Sequence, residues 1–185
     1  MCDQDCLKFG QENIDQTEVF DKNIIEVGSY NVNGSLKPYV MSLKPKSYVG
    51  VDLTEGPNVD TICPAEKIIE KFGKESFEGL ISTEMLEHVE NWQLIISNFK
   101  NIIKPNGFII ITTRSKGFPL HGYPKDYWRY EEEDIKIIFS DFIIKNIEKD
   151  TISPGIFIKA IKPEHFLETD LSNHQLFSIL SNKSS

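Results

Sequence analysis

Three scarcities set the first limits on this chain. Its 185 residues include only three cysteines, Cys2, Cys6 and Cys63, and an odd number at irregular spacing argues against a disulfide scaffold. Cys2 and Cys6 are expected in a frayed end and Cys63 as a small buried side chain. The four histidines, His88, His121, His165 and His174, contain no pair at H-x-x-x-H spacing, so neither a structural zinc nor a catalytic metal is expected. No apolar run approaches the length of a membrane span, so no membrane insertion is expected.

Positive charge is also short. Twenty Lys and Arg face 28 Asp and Glu, for a net charge of -8, which makes nucleic acid an unfavoured partner while leaving room for a small anion held locally. The opening MCDQDCLKFGQEN is acidic and polar, unlike a secretory signal, and points to a cytoplasmic protein. No repeat is present, and no linker is long enough to separate two domains. The expected division is a leader over 1–20, one domain over 21–162 and a C-terminal extension over 163–185.

Within that domain, short apolar runs alternate with amphipathic ones. Strands are expected at 23–27, 48–53, 60–63, 77–83 and 108–113, with closing antiparallel strands at 142–148 and 155–161. Helices are expected at 34–40, 64–72, 92–103 and 131–140. In the longest of these, Leu94, Ile95, Asn98, Phe99, Ile102 and Ile103 recur at three and four residues. KPNG, 104–107, reads as a turn after it. The run 108–113 is almost wholly apolar, as in a strand buried on both faces. This order predicts an α/β three-layer sandwich, with a Rossmann-like, mostly parallel sheet and an antiparallel C-terminal strand. Two neighbouring strands, NIIEV and SYVGVD, each close on an acid, which suits the binding of a nucleoside cofactor.

The motifs EVGSYNVNG, YVGVDL, FEGLISTEMLEHVENW and LIISNFKNIIKPNGFIIITT together resemble the class I S-adenosylmethionine-dependent methyltransferases, in the broad type 11 group of small methyltransferase domains. The resemblance covers about residues 22 to 161. It implies S-adenosyl-L-methionine as cofactor and methyl transfer as reaction. Tyr30 and Val32 stand where further glycines are expected and Gly34 comes two residues late, so Asn31 and Asn33 are expected in turn conformations.

The resemblance implies a cofactor site made of Glu26, Gly28, Ser29, Tyr30, Asp52, Leu53, Cys63, Pro64, Ala65, Thr83, Glu84 and Met85. Gly28 lets the backbone approach the ligand closely. Asp52 accepts hydrogen bonds from the ribose hydroxyls. Glu26 either orients the loop and the amino-acid part of the cofactor or simply braces the loop. Cys63, Pro64 and Ala65 line the adenine edge, where Glu66 either reaches the adenine amino group or stays solvated. Thr83, Glu84 and Met85 lie near the methionine part.

The segment RSKGFPLHGYPKDYWRY is dense in aromatic and polar groups and reads as a lid or acceptor wall. Candidate substrate contacts are His88, Arg114, His121, Tyr123, Tyr127 and Arg129, with the two arginines suited to a carboxylate or phosphate. Trp128 is expected to anchor the loop. His88 and His121 are the candidate general bases for an oxygen acceptor. With no separate acceptor-binding domain, a small molecule or a sugar group is the expected substrate, on a monomer or homodimer. Two rivals stand beside this reading. One is a catalytically silent cofactor-binding module that acts through protein partners. The other is a dinucleotide-dependent oxidoreductase, disfavoured by the Glu84–His88 segment.

Overall fold

The computed structural model describes residues 4–122 and 125–184. Its centre is a seven-stranded sheet in the order β3-β2-β1-β4-β5-β8-β7. The strands are β1 (Asn23–Val27), β2 (Ser47–Asp52), β3 (Thr61–Ile62), β4 (Phe77–Thr83), β5 (Ile103–Arg114), β7 (Ile143–Lys149) and β8 (Gly155–Ile161). Strands β3, β2, β1, β4 and β5 run parallel. The hairpin of β7 and β8 adds antiparallel to β5, with Thr112 opposite Phe157. The strand β6 (Trp128–Arg129) belongs to a second, small antiparallel sheet with β9 (Phe177–Ser178) and β10 (Lys183–Ser184).

Alternation along the central strands sorts their side chains onto two apolar faces. Ile24, Ile81, Phe108, Ile110 and Phe157 point to one face, and Ile25, Leu80, Ile109, Ile111 and Ile158 to the other. The second face is covered by α4 (Ile68–Phe72), α5 (Trp92–Ile102) and α6 (Glu132–Ile138), through residues such as Ile68, Ile95, Phe99, Ile135 and Ile138. The first is covered by α1 (Gln4–Asn13), α2 (Gln16–Val19) and α3 (Lys37–Ser42). Cys6 is therefore not in a frayed end. It is fully buried, its sulfur 3.1 Å from the Thr112 hydroxyl, while Phe9 packs on Phe157. An amphipathic segment is needed here because a sheet buried on both faces leaves five large apolar side chains exposed without it.

Two local features need the structure to explain them. KPNG is not a turn but an irregularity inside β5: Phe77 pairs with Ile103 and Gly79 with Phe108, so extra residues bulge out and Pro105 escapes the ladder. The loop does turn at Asn31, but through its side chain, which accepts the Gly34 N–H at 2.9 Å, and not through a positive φ at Asn31 or Asn33.

The C-terminal residues pack against the α5–α6 side. Leu176 is fully buried, and Phe166 meets Phe142 edge-on. Buried Lys100 ties the layers together, donating to Asp141 Oδ2 and to the Ile138 carbonyl, both at 2.6 Å. Asp141 in turn accepts the Thr169 N–H at 2.8 Å. No helix among the described residues is long and apolar enough to cross a membrane.

Candidate active site

In the sheet order, β1 sits between β2 and β4, so chain crossings leave in opposite directions on either side of it. That arrangement opens a crevice at the carboxyl ends of these strands. At its floor Gly28 has φ +81°, a conformation that favours glycine, and a Cβ placed there would lie 2.7 Å from Met85 Cγ. The glycine thus makes room for Met85, which reaches over from the end of β4. Ser29 is buried, and the N–H groups of Gly28 and Ser29 both donate to the Val51 carbonyl. The Tyr30 ring lies against Gly56, on the loop after β2.

Asp52 ends β2 half-buried, with its carboxylate fixed by the chain itself. Oδ2 accepts the Tyr30 N–H at 3.0 Å and Oδ1 the Leu53 N–H at 2.7 Å. Beside it two apolar side chains, Leu53 and Ile62, are 61% and 58% exposed. Cys63 and Pro64 follow, with the Cys63 N–H bonded to the Asp52 carbonyl. The next turn, Ala65–Lys67, is braced by Asn98 of α5, whose amide donates to the carbonyls of Ala65 and Glu66 at 3.0 Å each. Asn98 therefore sits on the apolar stripe for a polar reason. Glu66 is exposed.

Glu26 lies below the loop, 2% exposed, and accepts the Tyr48 hydroxyl at 2.7 Å. Burial pushes its carboxyl up to about 7, against smaller opposing effects of the Tyr48 hydrogen bond and of Lys37. This sets a pH dependence. Below about pH 4.5 the group is neutral in folded and unfolded chains alike. Between there and pH 7 only the unfolded chain releases its proton, so stability falls as pH rises, by about 3 kcal/mol in all, and then levels off. Glu26→Gln is expected to remove that fall, giving similar urea midpoints at pH 5 and pH 8. An unchanged pH profile in the variant would show that Glu26 is not the group responsible.

On the other side of the crevice, Thr83 is half-buried and Glu84 takes φ +54° as the chain leaves β4. Glu84 is buried and pairs with Arg114 Nε. Its carboxyl is held well above the usual range, by burial first and by the neighbouring Glu87 second. Residues 86–88 form a single tight turn, and the segment 126–130 is hydrogen-bonded along it. Tyr127 N–H donates to Glu87 O at 2.8 Å, Trp128 Nε1 to Val89 O at 2.9 Å and the Tyr130 hydroxyl to Leu86 O at 3.2 Å. Trp128 is indeed an anchor, and Tyr127 is half-buried beside it.

The arginines occupy a different setting from the one expected of acceptor-holding cations. Arg114 is 2% exposed and pairs with Glu84 and, at 2.9 Å, with Asp150. Arg129 is fully buried and forks onto Asp126, with contacts of 2.5 and 2.7 Å. Both guanidinium charges are matched by carboxylates of the chain, and both lie near the Phe118 ring, Arg114 at 4.4 Å. Tyr123, a candidate substrate contact, lies outside the described residues.

His88 and His121 do come together, their rings 4.6 Å apart and edge-on. His88 Nδ1 is 2.8 Å from the Lys125 carbonyl. A carbonyl only accepts, so Nδ1 carries the proton and Nε2 of the neutral ring keeps its lone pair. His121 Nδ1 lies 2.9 Å from Asp126 Oδ2, and burial, aided by His88, holds this imidazole below its ordinary value against the pull of Asp126. Beside the two histidines stands a residue absent from the expected site. Glu87 is fully buried, with Oε2 accepting the Thr113 hydroxyl at 2.8 Å. Its place in the LEHV run, next to His88, was the available signal. The expectation of no metal weighed only helical histidine spacing, and the fold brings Glu87, His88 and His121 within 4.8 Å of one another by their donor atoms.

The fold agrees with what the chain is similar to. A curated relative, the ubiquinone biosynthesis O-methyltransferase of Dechloromonas aromatica (strain RCB), is 24% identical over 151 residues, covering 75% of this chain and 59% of that protein. The chain thus spans about 59% of the length of that relative. The 1,6-didemethyltoxoflavin-N1-methyltransferase of Burkholderia thailandensis, solved with 1,6-didemethyltoxoflavin and S-adenosylhomocysteine, superposes with a TM-score of 0.68 at 14% identity, over 85% of this chain and 78% of that one. The cyclase SpnF superposes with a TM-score of 0.66 at 13% identity, over 86% and 81%. At such identity the likeness is one of fold, which a methyltransferase and a cyclase here share. A family model, described as a methyltransferase domain, matches residues 11–147, and the chain belongs to that family.

Proposed function

We propose that this domain transfers a methyl group from S-adenosyl-L-methionine to an oxygen of a small-molecule or sugar acceptor. The observation that carries the reading is the Asp52 carboxylate, held at the open end of β2 by two backbone N–H groups beside exposed Leu53 and Ile62. Those residues fit an adenosyl group. The carboxylate keeps lone pairs for two ribose hydroxyls, and the apolar side chains gain by being covered by a flat base. Cys63, Pro64 and Ala65 border the same edge, and Gly28, Ser29, Thr83, Glu84 and Met85 border the side toward the acceptor.

The cofactor, when bound, supplies a methyl group already activated on a sulfonium. The chain's work is then to align the acceptor, exclude water and take up a proton. His88 and His121 suit the last task, because the Lys125 carbonyl engages His88 Nδ1 and leaves its Nε2 to accept, and His121 lies beside it with Nδ1 2.9 Å from Asp126 Oδ2. Arg114 and Arg129 are assigned to holding the acceptor wall in place. Calorimetry is expected to show one S-adenosylhomocysteine bound per chain with micromolar affinity; no heat with either cofactor form would overturn the reading. Binding without transfer of labelled methyl to any metabolite of an extract would favour the silent module instead.

A further inference from the structure

We infer that Glu87, His88 and His121 form a binding site for one first-row divalent cation on the acceptor side of the crevice. The donor set comes from two distant parts of the chain, the turn after β4 and the connection after β5, and its ligand atoms lie within 4.8 Å of one another. Glu87 Oε1 and His88 Nε2 are 3.8 Å apart. Metal–ligand bonds of about 2.1 Å give ligand–ligand edges of about 3.0–3.4 Å, so small rotations of the side chains close the site.

Among the described residues, three buried side-chain atoms of this cluster have no hydrogen-bond partner: Glu87 Oε1, on a side chain with no exposed surface, and both ring nitrogens of His121. Leaving such atoms unmatched inside a protein costs free energy, and a cation held by Glu87 Oε1 and His121 Nε2 satisfies one on each side chain. The remaining atoms of the three residues are already fixed in the way that metal ligands are. His88 Nδ1 donates to the Lys125 carbonyl, His121 Nδ1 faces the Asp126 carboxylate, and Glu87 Oε2 accepts from Thr113. The Lys125 carbonyl leaves Nε2 as the free lone pair of His88, and the Asp126 carboxylate beside His121 Nδ1 leaves Nε2 as the nitrogen of His121 open to a cation. The nearby arginines are engaged with other carboxylates, Arg129 with Asp126 and Arg114 with Glu84 and Asp150.

Two imidazoles and one carboxylate suit Zn²⁺, Mn²⁺, Fe²⁺ or Co²⁺ rather than Ca²⁺ or Mg²⁺. Three protein ligands leave coordination positions open, as in catalytic rather than structural sites. On the methyl-transfer reading, which this last step rests on, an acceptor hydroxyl at those positions would have its pKa lowered and would pass its proton to solvent as its oxygen takes the methyl group, in place of proton uptake by the histidines.

The test uses the full chain after chelation and dialysis. Titration with Zn²⁺ by calorimetry is expected to give one ion per chain. Histidine ring spectra of the unaltered protein are expected to show His88 and His121 shifting while His165 and His174 stay. Glu87→Gln and His121→Ala are each expected to weaken Zn²⁺ binding at least tenfold, with far-UV spectra unchanged; His88→Gln replaces either one if it fails to fold. No stoichiometric binding, binding retained in either folded variant, or shifts confined to His165 and His174 would overturn the assignment. S-adenosylhomocysteine binding by the metal-free wild type reports on the methyl-transfer reading separately.

Discussion

Asp126→Ala is expected to destabilise the protein by about 3–5 kcal/mol, measured as a fall in the urea midpoint. The reason is the state in which it leaves Arg129. That guanidinium is fully buried and, among the described residues, its only carboxylate contacts are the two to Asp126, the rest being carbonyls of Phe118, Pro119 and Trp128 at 2.8 to 3.2 Å. Alanine removes the balancing charge and keeps the cost of desolvation. A domain of this size is stable by only about 5–15 kcal/mol, so the loss is a large share of the total. Asp126→Ala combined with Arg129→Met is expected to recover part of it, because the buried charge goes too. A double variant no more stable than the single one would mean that the aspartate acts through something other than Arg129, such as the N–H of His121 that it also accepts.

Asp52→Ala is expected to weaken S-adenosylhomocysteine binding roughly a hundredfold, or about 3 kcal/mol, which corresponds to losing two hydroxyl hydrogen bonds to a charged acceptor. The carboxylate also fastens the Tyr30 and Leu53 N–H groups, so part of the effect passes through the loop. Asp52→Asn separates the contributions: it keeps one acceptor oxygen and is expected to fall between wild type and alanine. Calorimetry of all three at one pH makes the comparison. Wild-type affinity in the alanine variant would remove Asp52 from the site.

The strands were readable because their signal is local. The limits of β1, β4 and β8 coincide with the apolar runs at 23–27, 77–83 and 155–161. The same runs gave the Rossmann-like order, since continuous apolar strands between amphipathic helices have one economical arrangement. KPNG misled because proline and glycine punctuate turns and bulges alike, and only the partner strand tells which. Asp52 was visible as an acid at a strand end. Glu87 stood in the LEHV run beside His88, but nothing local to that run tells that it is buried against His121.

What the residues fixed unaided is the frame: a parallel sheet buried on both faces, with acids at the ends of β1 and β2. What tertiary structure decided is the fate of each charge. Arg114 and Arg129 sit in an aromatic, polar segment that reads as a ligand wall, yet Arg114 is claimed by Glu84 and Asp150 from outside it and Arg129 turns back onto Asp126 within it. Glu87 reaches His121 across more than thirty residues of chain. Periodicity follows from the backbone and is written along the sequence, whereas charge pairing depends on which distant groups folding brings within a few ångströms in a medium of low dielectric.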